Sequence, residues 1–196
     1  MWDGVARQAA NESDLASGAP ARPAGFRYHL LAVAFALMGG ALGILGAFVA
    51  EVRSTVPLLA VFLGAPIVEE TTKPIGIYLF MLRWPAFLRN QLHIALLVAL
   101  SGLCFGLLES AVYVTIYVSD PSRSFYVYRF TVTVLLHTVA SFTAGLGVNA
   151  GLIAWAKGLG PFPRASRFAF GSAIALHAIY NTTAVVLTLS GVLDFD

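Results

Sequence analysis

Seven polar side chains that could carry out acid–base chemistry lie inside strongly apolar stretches of this sequence. They are Glu69, Glu70, Lys73, Glu109, His137, His177 and Asn181. If their segments are helical, both carboxylates of the first pair can reach the lysine, three and four residues further on. His177 and Asn181 are four residues apart, so they share one helix face.

This set of residues suits hydrolysis by an activated water. Three carboxylates against one lysine leave two excess negative charges, so in apolar surroundings one carboxyl keeps its proton or one histidine becomes cationic. A glutamate could deprotonate the water that attacks a peptide carbonyl. Histidine and asparagine could then hydrogen-bond the developing oxyanion. Ser141 shares a face with His137 but belongs to no second nucleophile motif, which favours water over serine.

The same residues leave the question of a metal open. Glutamates with two histidines could bind zinc and keep one position free for water. Lys73 beside both acids would compete electrostatically with such a cation. The sequence therefore favours a metal-free glutamate mechanism, with no cofactor, and leaves zinc as the alternative.

The composition predicts that these residues lie in a membrane. Hydrophobic residues make up 58% of the 196 residues and charged residues 11%, against about a quarter charged in a soluble domain. Apolar runs of about 20 residues recur, which is typical of bilayer-spanning helices. The net charge of +2 is too small to indicate nucleic acid.

We predict an all-α, polytopic transmembrane bundle of about five spans, preceded by a polar tail. The tail covers residues 1–27, which are rich in Ala, Ser, Gly and Pro, and we expect it to be mobile. The helical domain covers 28–193. Its second span contains three prolines, which could break it and raise the count to six segments. The predicted spans are 28–51, 55–82, 92–118, 127–156 and 167–191.

Depth in the bilayer brings the polar residues together. At a rise of about 1.5 Å per residue, the acids and histidines of four spans fall in one slab about 12 Å thick. Each central Glu or Lys costs about 2.5–3.5 kcal/mol to insert when isolated, so these side chains should face one another or water. Arg129, near a span end, is expected to extend to the interface.

Glycines and loop charges add two further predictions. Gly102 and Gly106 lie on the face of Glu109, where they should let a helix approach and leave space before the acid. Eight Lys and Arg residues lie in the segments on the N-terminal side of the membrane and three on the other side. This bias predicts a cytoplasmic N-terminus.

The order of the polar motifs resembles that of the PrsW family of intramembrane proteases. Glu69-Glu70-x-x-Lys73, Phe105-x-x-x-Glu109, His137 and His177-x-x-x-Asn181 follow one another over residues 55–185. That family is related to the CAAX-processing and bacteriocin-processing (CPBP) membrane endopeptidases. Those enzymes usually read E-E-x-x-x-R and F-x-x-x-H, so Lys73 and Glu109 favour the PrsW branch.

The resemblance implies an endopeptidase that cuts a membrane-tethered protein or peptide. By similarity Glu69 activates the water, Glu70 and Lys73 shape its charge, and the remaining four residues complete the site. Members of the family cut a membrane-anchored anti-sigma factor, which implies a signalling role. We expect the chain in a bacterial or archaeal cell membrane.

Two other functions suit a polar cluster in a membrane. Buried Glu, Lys and His also build proton relays, so a proton- or ion-coupled transporter or channel is the main alternative. A non-catalytic adaptor, whose polar cluster only holds helices together, is the other.

Overall fold

The chain is all-helical over the residues that its computed structural model describes, which are 25–53, 60–88 and 90–195. Three π-helical segments, Ala60–Gly64, Tyr113–Tyr117 and Arg129–Thr133, adjoin the α-helices. The predicted tail falls almost wholly on residues 1–24, outside the described ranges, and stays a prediction. The α-helices are α1 (Phe26–Arg53), α2 (Ala65–Thr72), α3 (Ile75–Arg83), α4 (Gln91–Val112), α5 (Arg123–Tyr128), α6 (Val134–Gly145), α7 (Ala150–Ala156) and α8 (Arg164–Leu189).

The predicted membrane bundle is confirmed. Among the described residues, three helices are long and apolar enough to cross a membrane, namely Phe26–Val49, Gln91–Tyr117 and Arg164–Leu189. Each coincides with a predicted span to within three residues at either end. A fourth crossing is formed if Arg123–Gly145 and Ala150–Ala156, which meet at 78°, count as one span.

The remaining predicted span, 55–82, begins within residues 54–59, which lie outside the described part of the chain. Its described portion is broken as its prolines suggested, since α2 ends at Thr72 and α3 begins at Ile75. Pro74 has no N–H to continue the α2 ladder. The amide of Ile77 bonds the Pro74 carbonyl instead of the Lys73 carbonyl.

The bend between α6 and α7 departs from the predicted single span 127–156. The Asn149 side chain accepts a hydrogen bond from the Leu152 amide at 3.1 Å and so starts α7 as a new helix. Ser166 donates to the Gly147 carbonyl at 2.6 Å, which satisfies a backbone acceptor that the bend frees. The bend is therefore held by contacts with α8.

An apolar core fills one half of the bundle, next to the loop that joins α3 to α4. It is built from the first halves of α1, α4 and α8, from α3, and from the region where α6 meets α7. Phe80 lies at its centre, fully buried against Phe35 and Trp84. The polar residues follow directly beyond this core along the same helices, so the core closes one end of the polar centre.

Candidate active site

The two acids of α2 and the lysine that follows them form the centre of the site. Lys73 Nζ lies 2.6 Å from Glu70 Oε1 and 3.4 Å from Glu69 Oε2. The relative exposure of the three residues is 4% for Glu69 and 0% for Glu70 and Lys73. Ser101 of α4 donates to the Lys73 carbonyl at 2.6 Å, which replaces the hydrogen bond lost at the Pro74 break. The break therefore fixes the backbone position of Lys73 at the end of α2.

Both histidines reach this centre from separate helices. His137 Nδ1 lies 2.9 Å from Lys73 Nζ, and His177 Nδ1 lies 2.9 Å from Glu70 Oε1. Their ring centroids are 4.9 Å apart, and both residues are buried. Five of the seven predicted residues are therefore in one cluster, as the depth argument required.

Glu109 joins the cluster through His137. Its Oε2 lies 2.9 Å from His137 Nε2 and 2.8 Å from the Arg129 guanidinium. Arg129 is only 8% exposed, so the prediction that it extends to the interface is wrong. An acid one turn from the end of the neighbouring helix gave it a partner inside the bundle. With Arg129 included, the excess charge of the site falls from two negative charges to one.

Asn181 lies one helical turn beyond His177 on α8 and is half-buried. This placement agrees with the predicted shared face. The role of Asn181 in the site stays a prediction.

The hydrogen-bond network assigns the protons of both histidines. Glu70 is paired with Lys73, so its carboxylate can only accept, and His177 must donate from Nδ1. In the same way Glu109, paired with Arg129, accepts from His137 Nε2. His137 Nδ1 then accepts from Lys73. Each histidine therefore turns an unprotonated nitrogen toward the centre.

Glu69 differs from the other acids. Its Oε2 is buried and has no hydrogen-bond partner among the residues the structure describes. It faces His137 Nδ1 and His177 Nε2, each at 3.9 Å, and both nitrogens are acceptors in the assigned network. Because His137 Nδ1 already accepts from Lys73, Glu69 Oε2 and His177 Nε2 are the two acceptors between which a water or a cation would be stabilised.

Close helix packing holds the histidine in place. A Cβ on Gly102 would collide with the His137 carbonyl oxygen and with Ser141, and one on Gly106 would lie 3.1 Å from His137 Cδ2. The predicted close approach is confirmed. The prediction of open space in front of Glu109 is wrong, because α6 packs against the two glycines and fills that space. Phe105 packs edge-on to His137 and lies 4.2 Å from Lys73 Nζ.

Three contributors were not predicted as part of the site. Ser101 binds the Lys73 carbonyl, Ser141 donates to Glu70 Oε2 at 3.4 Å, and Arg129 binds Glu109. The position of Ser141 on the His137 face was a usable signal. Beyond them, Tyr180 donates to Tyr128 and lies 2.8 Å from Thr133 Oγ1.

The donor set fits a divalent metal in chemistry and spacing. Single ligand atoms of Glu69, Glu70, His137 and His177 all lie within 4.8 Å of one another, and all four residues are buried. Each histidine also gives its second nitrogen to a carboxylate, an arrangement that orients histidine ligands in metal sites. Lys73 Nζ, among the same atoms, supplies a positive charge at the position where a metal would bind.

Fold and site together define a helical integral membrane protein with a buried acid–base centre. Residues 27–194 match the family described as PrsW family intramembrane metalloprotease. This match covers most of the chain, so the chain belongs to the PrsW family and is an intramembrane protease. Comparison with curated proteins and with solved structures gives no match.

Proposed function

We propose that this protein hydrolyses a peptide bond of a membrane-tethered protein or peptide, using a water that Glu69 activates. The observation that carries the proposal is the Glu69 Oε2 atom, which is buried and without a hydrogen-bond partner among the described residues. A carboxylate oxygen in this position can accept a proton. Glu70 cannot do so equally well, because Lys73, His177 and Ser141 already bind it.

The reaction divides between the cluster's residues as follows. Glu69 takes a proton from the water, whose oxygen forms a bond to the carbonyl carbon of the substrate. Lys73, with three N–H donors, stabilises the oxyanion together with Asn181. When the C–N bond breaks, Glu69 returns its proton to the leaving nitrogen. His177 holds the water by accepting its second proton at the unprotonated Nε2, while His137 Nδ1 accepts from Lys73 and keeps the ammonium in place.

A metal-dependent version has its own structural support in the two carboxylate–histidine pairs. Glu69, His137 and His177 would hold the ion. A bound zinc would polarise the water and the substrate carbonyl as a Lewis acid. Lys73 favours the metal-free version, because its ammonium is paired with Glu70 at 2.6 Å, lies 3.4 Å from Glu69 and would repel a metal ion.

A membrane-anchored anti-sigma factor is the substrate class that the family resemblance suggests. The support from the structure is the position of the site between helices that span the membrane. Tethered peptides are therefore the substrates of choice for a first test.

Glu69→Gln should abolish cleavage and leave the fold intact. Removing a general base costs about 10²–10⁴-fold in rate. The purified protein in liposomes would be assayed on a panel of membrane-tethered peptides, with products identified by mass spectrometry. Asp120→Asn, the same change at an exposed acid, is the matched control and should cleave at the parental rate.

Parental cleavage by Glu69→Gln would contradict the role of Glu69. Absence of cleavage by the parent across the panel would contradict the substrate class. A strong chelator separates the two versions of the mechanism. If cleavage continues in the chelator, the zinc mechanism is excluded. If cleavage is lost and returns when zinc is added, the metal-free mechanism is contradicted.

A further inference from the structure

We propose that Arg129 is a positioning residue of this site. Its guanidinium holds Glu109 so that His137 keeps its proton on Nε2 and presents Nδ1 to Lys73. The inference rests on the proposed function for its catalytic consequence. Its structural part, the state of His137, can be measured without any cleavage assay.

The argument begins with one oxygen atom that is shared. Glu109 Oε2 accepts from the Arg129 guanidinium at 2.8 Å and contacts His137 Nε2 at 2.9 Å. A guanidinium only donates, and a carboxylate paired with it only accepts. His137 must therefore donate from Nε2, and its other nitrogen is left to accept. Arg129 thus acts on His137 through Glu109.

The hydrogen bond between His137 Nδ1 and Lys73 depends on this assignment. Nδ1 lies 2.9 Å from Lys73 Nζ and 3.9 Å from Glu69 Oε2. Lys73 only donates, so Nδ1 must be unprotonated for that contact to be a hydrogen bond. If Glu109 lost its partner and turned away, either nitrogen of His137 could carry the proton. The Nδ1–H form would lose its contact with Lys73.

Arg129 is itself held in place by the helix Gln91–Tyr117, which also carries Glu109. It opens the π-helical segment Arg129–Thr133, and its carbonyl accepts from Ser110 of α4 at 2.8 Å. Its guanidinium carbon lies 3.8 Å from the centre of the Tyr113 ring, where the π-helical segment Tyr113–Tyr117 begins. π-Helical turns inside α-helices are frequent at functional sites. Arg129 and Tyr113 are the first residues of two such segments.

The burial of Arg129 fits a positioning role better than a purely stabilising one. Its Nε is buried and makes no hydrogen bond to a described residue. The arginine is therefore not placed so that all of its N–H donors are bonded. The bond that it does make goes to the carboxylate oxygen that also binds His137. An ion pair needed only for stability could use either oxygen.

The test compares Arg129→Gln with Arg129→Lys and with Arg123→Gln, an exposed arginine at the start of α5. Arg129→Gln should lower kcat about 10–100-fold, as is typical for partners of site histidines, with KM at the parental value. Arg129→Lys should recover part of that loss, and Arg123→Gln should show none. In ¹⁵N-histidine spectra, His137 should carry its proton on Nε2 in the parent and should be a mixture of the Nε2–H and Nδ1–H forms in Arg129→Gln.

A parental kcat together with an unchanged His137 spectrum in Arg129→Gln would overturn the proposal. If that variant does not fold, Tyr113→Leu removes the ring beneath the guanidinium and should shift kcat and spectrum in the same direction, to a smaller extent. No shift in either would also overturn it. If the parent cleaves nothing, the proposed function fails, whereas the spectra still decide the role of Arg129.

Discussion

At the scale of single residues, burial gives each charged group of the site a distinct role. Glu70 and Lys73 are fully buried and paired at 2.6 Å, whereas Glu69 keeps one oxygen without a hydrogen bond among the described residues. Two neighbouring glutamates in the sequence therefore differ in chemistry. Both lie near Lys73 and His177, but adjacent residues point in different directions from α2, so the short contacts go to Glu70 and the longer ones to Glu69.

Lys73→Met should lower the free energy of unfolding strongly. The change leaves Glu69 and Glu70 buried without the cation they contact, and breaking a buried ion pair costs about 3–5 kcal/mol. Unfolding in a denaturing detergent series would measure the loss. Lys157→Met, which removes an exposed lysine, is the matched control and should change little. Equal stability of the two variants would mean that the Lys73 pair adds nothing to the fold.

The sequence predicted the residues of the site better than their partners. Glu69, Glu70, Lys73, His137 and His177 meet as expected, because the cost of isolated polar groups in a membrane forces them together. The position of Arg129 was predicted wrongly. An arginine near the end of a span can extend to the interface or bind a buried acid. The sequence does not distinguish these two cases, because only the packing of α4 against α6 places Glu109 within reach of Arg129.

At the scale of helices, small residues decide how closely α4 and α6 approach. The face of α4 that carries Glu109 has glycine at two successive turns, and α6 lies against both. The consequence is that the His137 backbone lies close to α4, which sets the reach of its ring toward Lys73 and Glu109. Packing and the geometry of the polar site are thus coupled through this one contact.

Gly102→Ala should disturb both stability and cleavage. The added Cβ collides with the His137 carbonyl oxygen and with Ser141, and overpacking costs about 1–3 kcal/mol. Gly171→Ala on α8 is the control, because a Cβ there meets nothing within 4 Å. Thermal unfolding and cleavage rates would be compared for both. A Gly102→Ala variant as stable and active as the control would show that α6 can move without loss.

The helix pattern was predictable where a span is continuous and less so where it breaks. Three spans agree with prediction because a long apolar run is sufficient to define them. The 78° bend after Gly145 was not predicted. Residues 127–156 are apolar on both sides of it, and the contacts that hold it, such as Ser166 with Gly147, come from a distant helix.

At the scale of the whole molecule, an apolar core closes one end of the polar centre. Phe80, Ile94, Val98 and Phe170 lie between the site and the α3–α4 loop. A transporter also has one closed end in each of its states, so the choice of a protease over that alternative rests on the family match. Substrate and water would then enter from the lipid or from the opposite end.

The charge bias of the loops makes a prediction for the whole chain. In a Cys104→Ser background, a membrane-impermeant maleimide added to intact cells should label Arg123→Cys and not Gly160→Cys. Both positions are exposed at loops on opposite sides of the predicted membrane. The reverse labelling pattern would invert the orientation and place the N-terminus outside.

The sequence alone determined the class of the protein and most of its polar site. Composition and apolar runs define membrane helices, and the cost of burying charge predicts that polar groups on different spans meet. The tertiary structure decided which atoms meet. Glu69 rather than Glu70 keeps an accepting oxygen, Arg129 turns inward to Glu109, and α6 fills the face left by Gly102. These outcomes depend on distances of a few ångströms between helices far apart in sequence, which residue types and spacing along one helix do not specify.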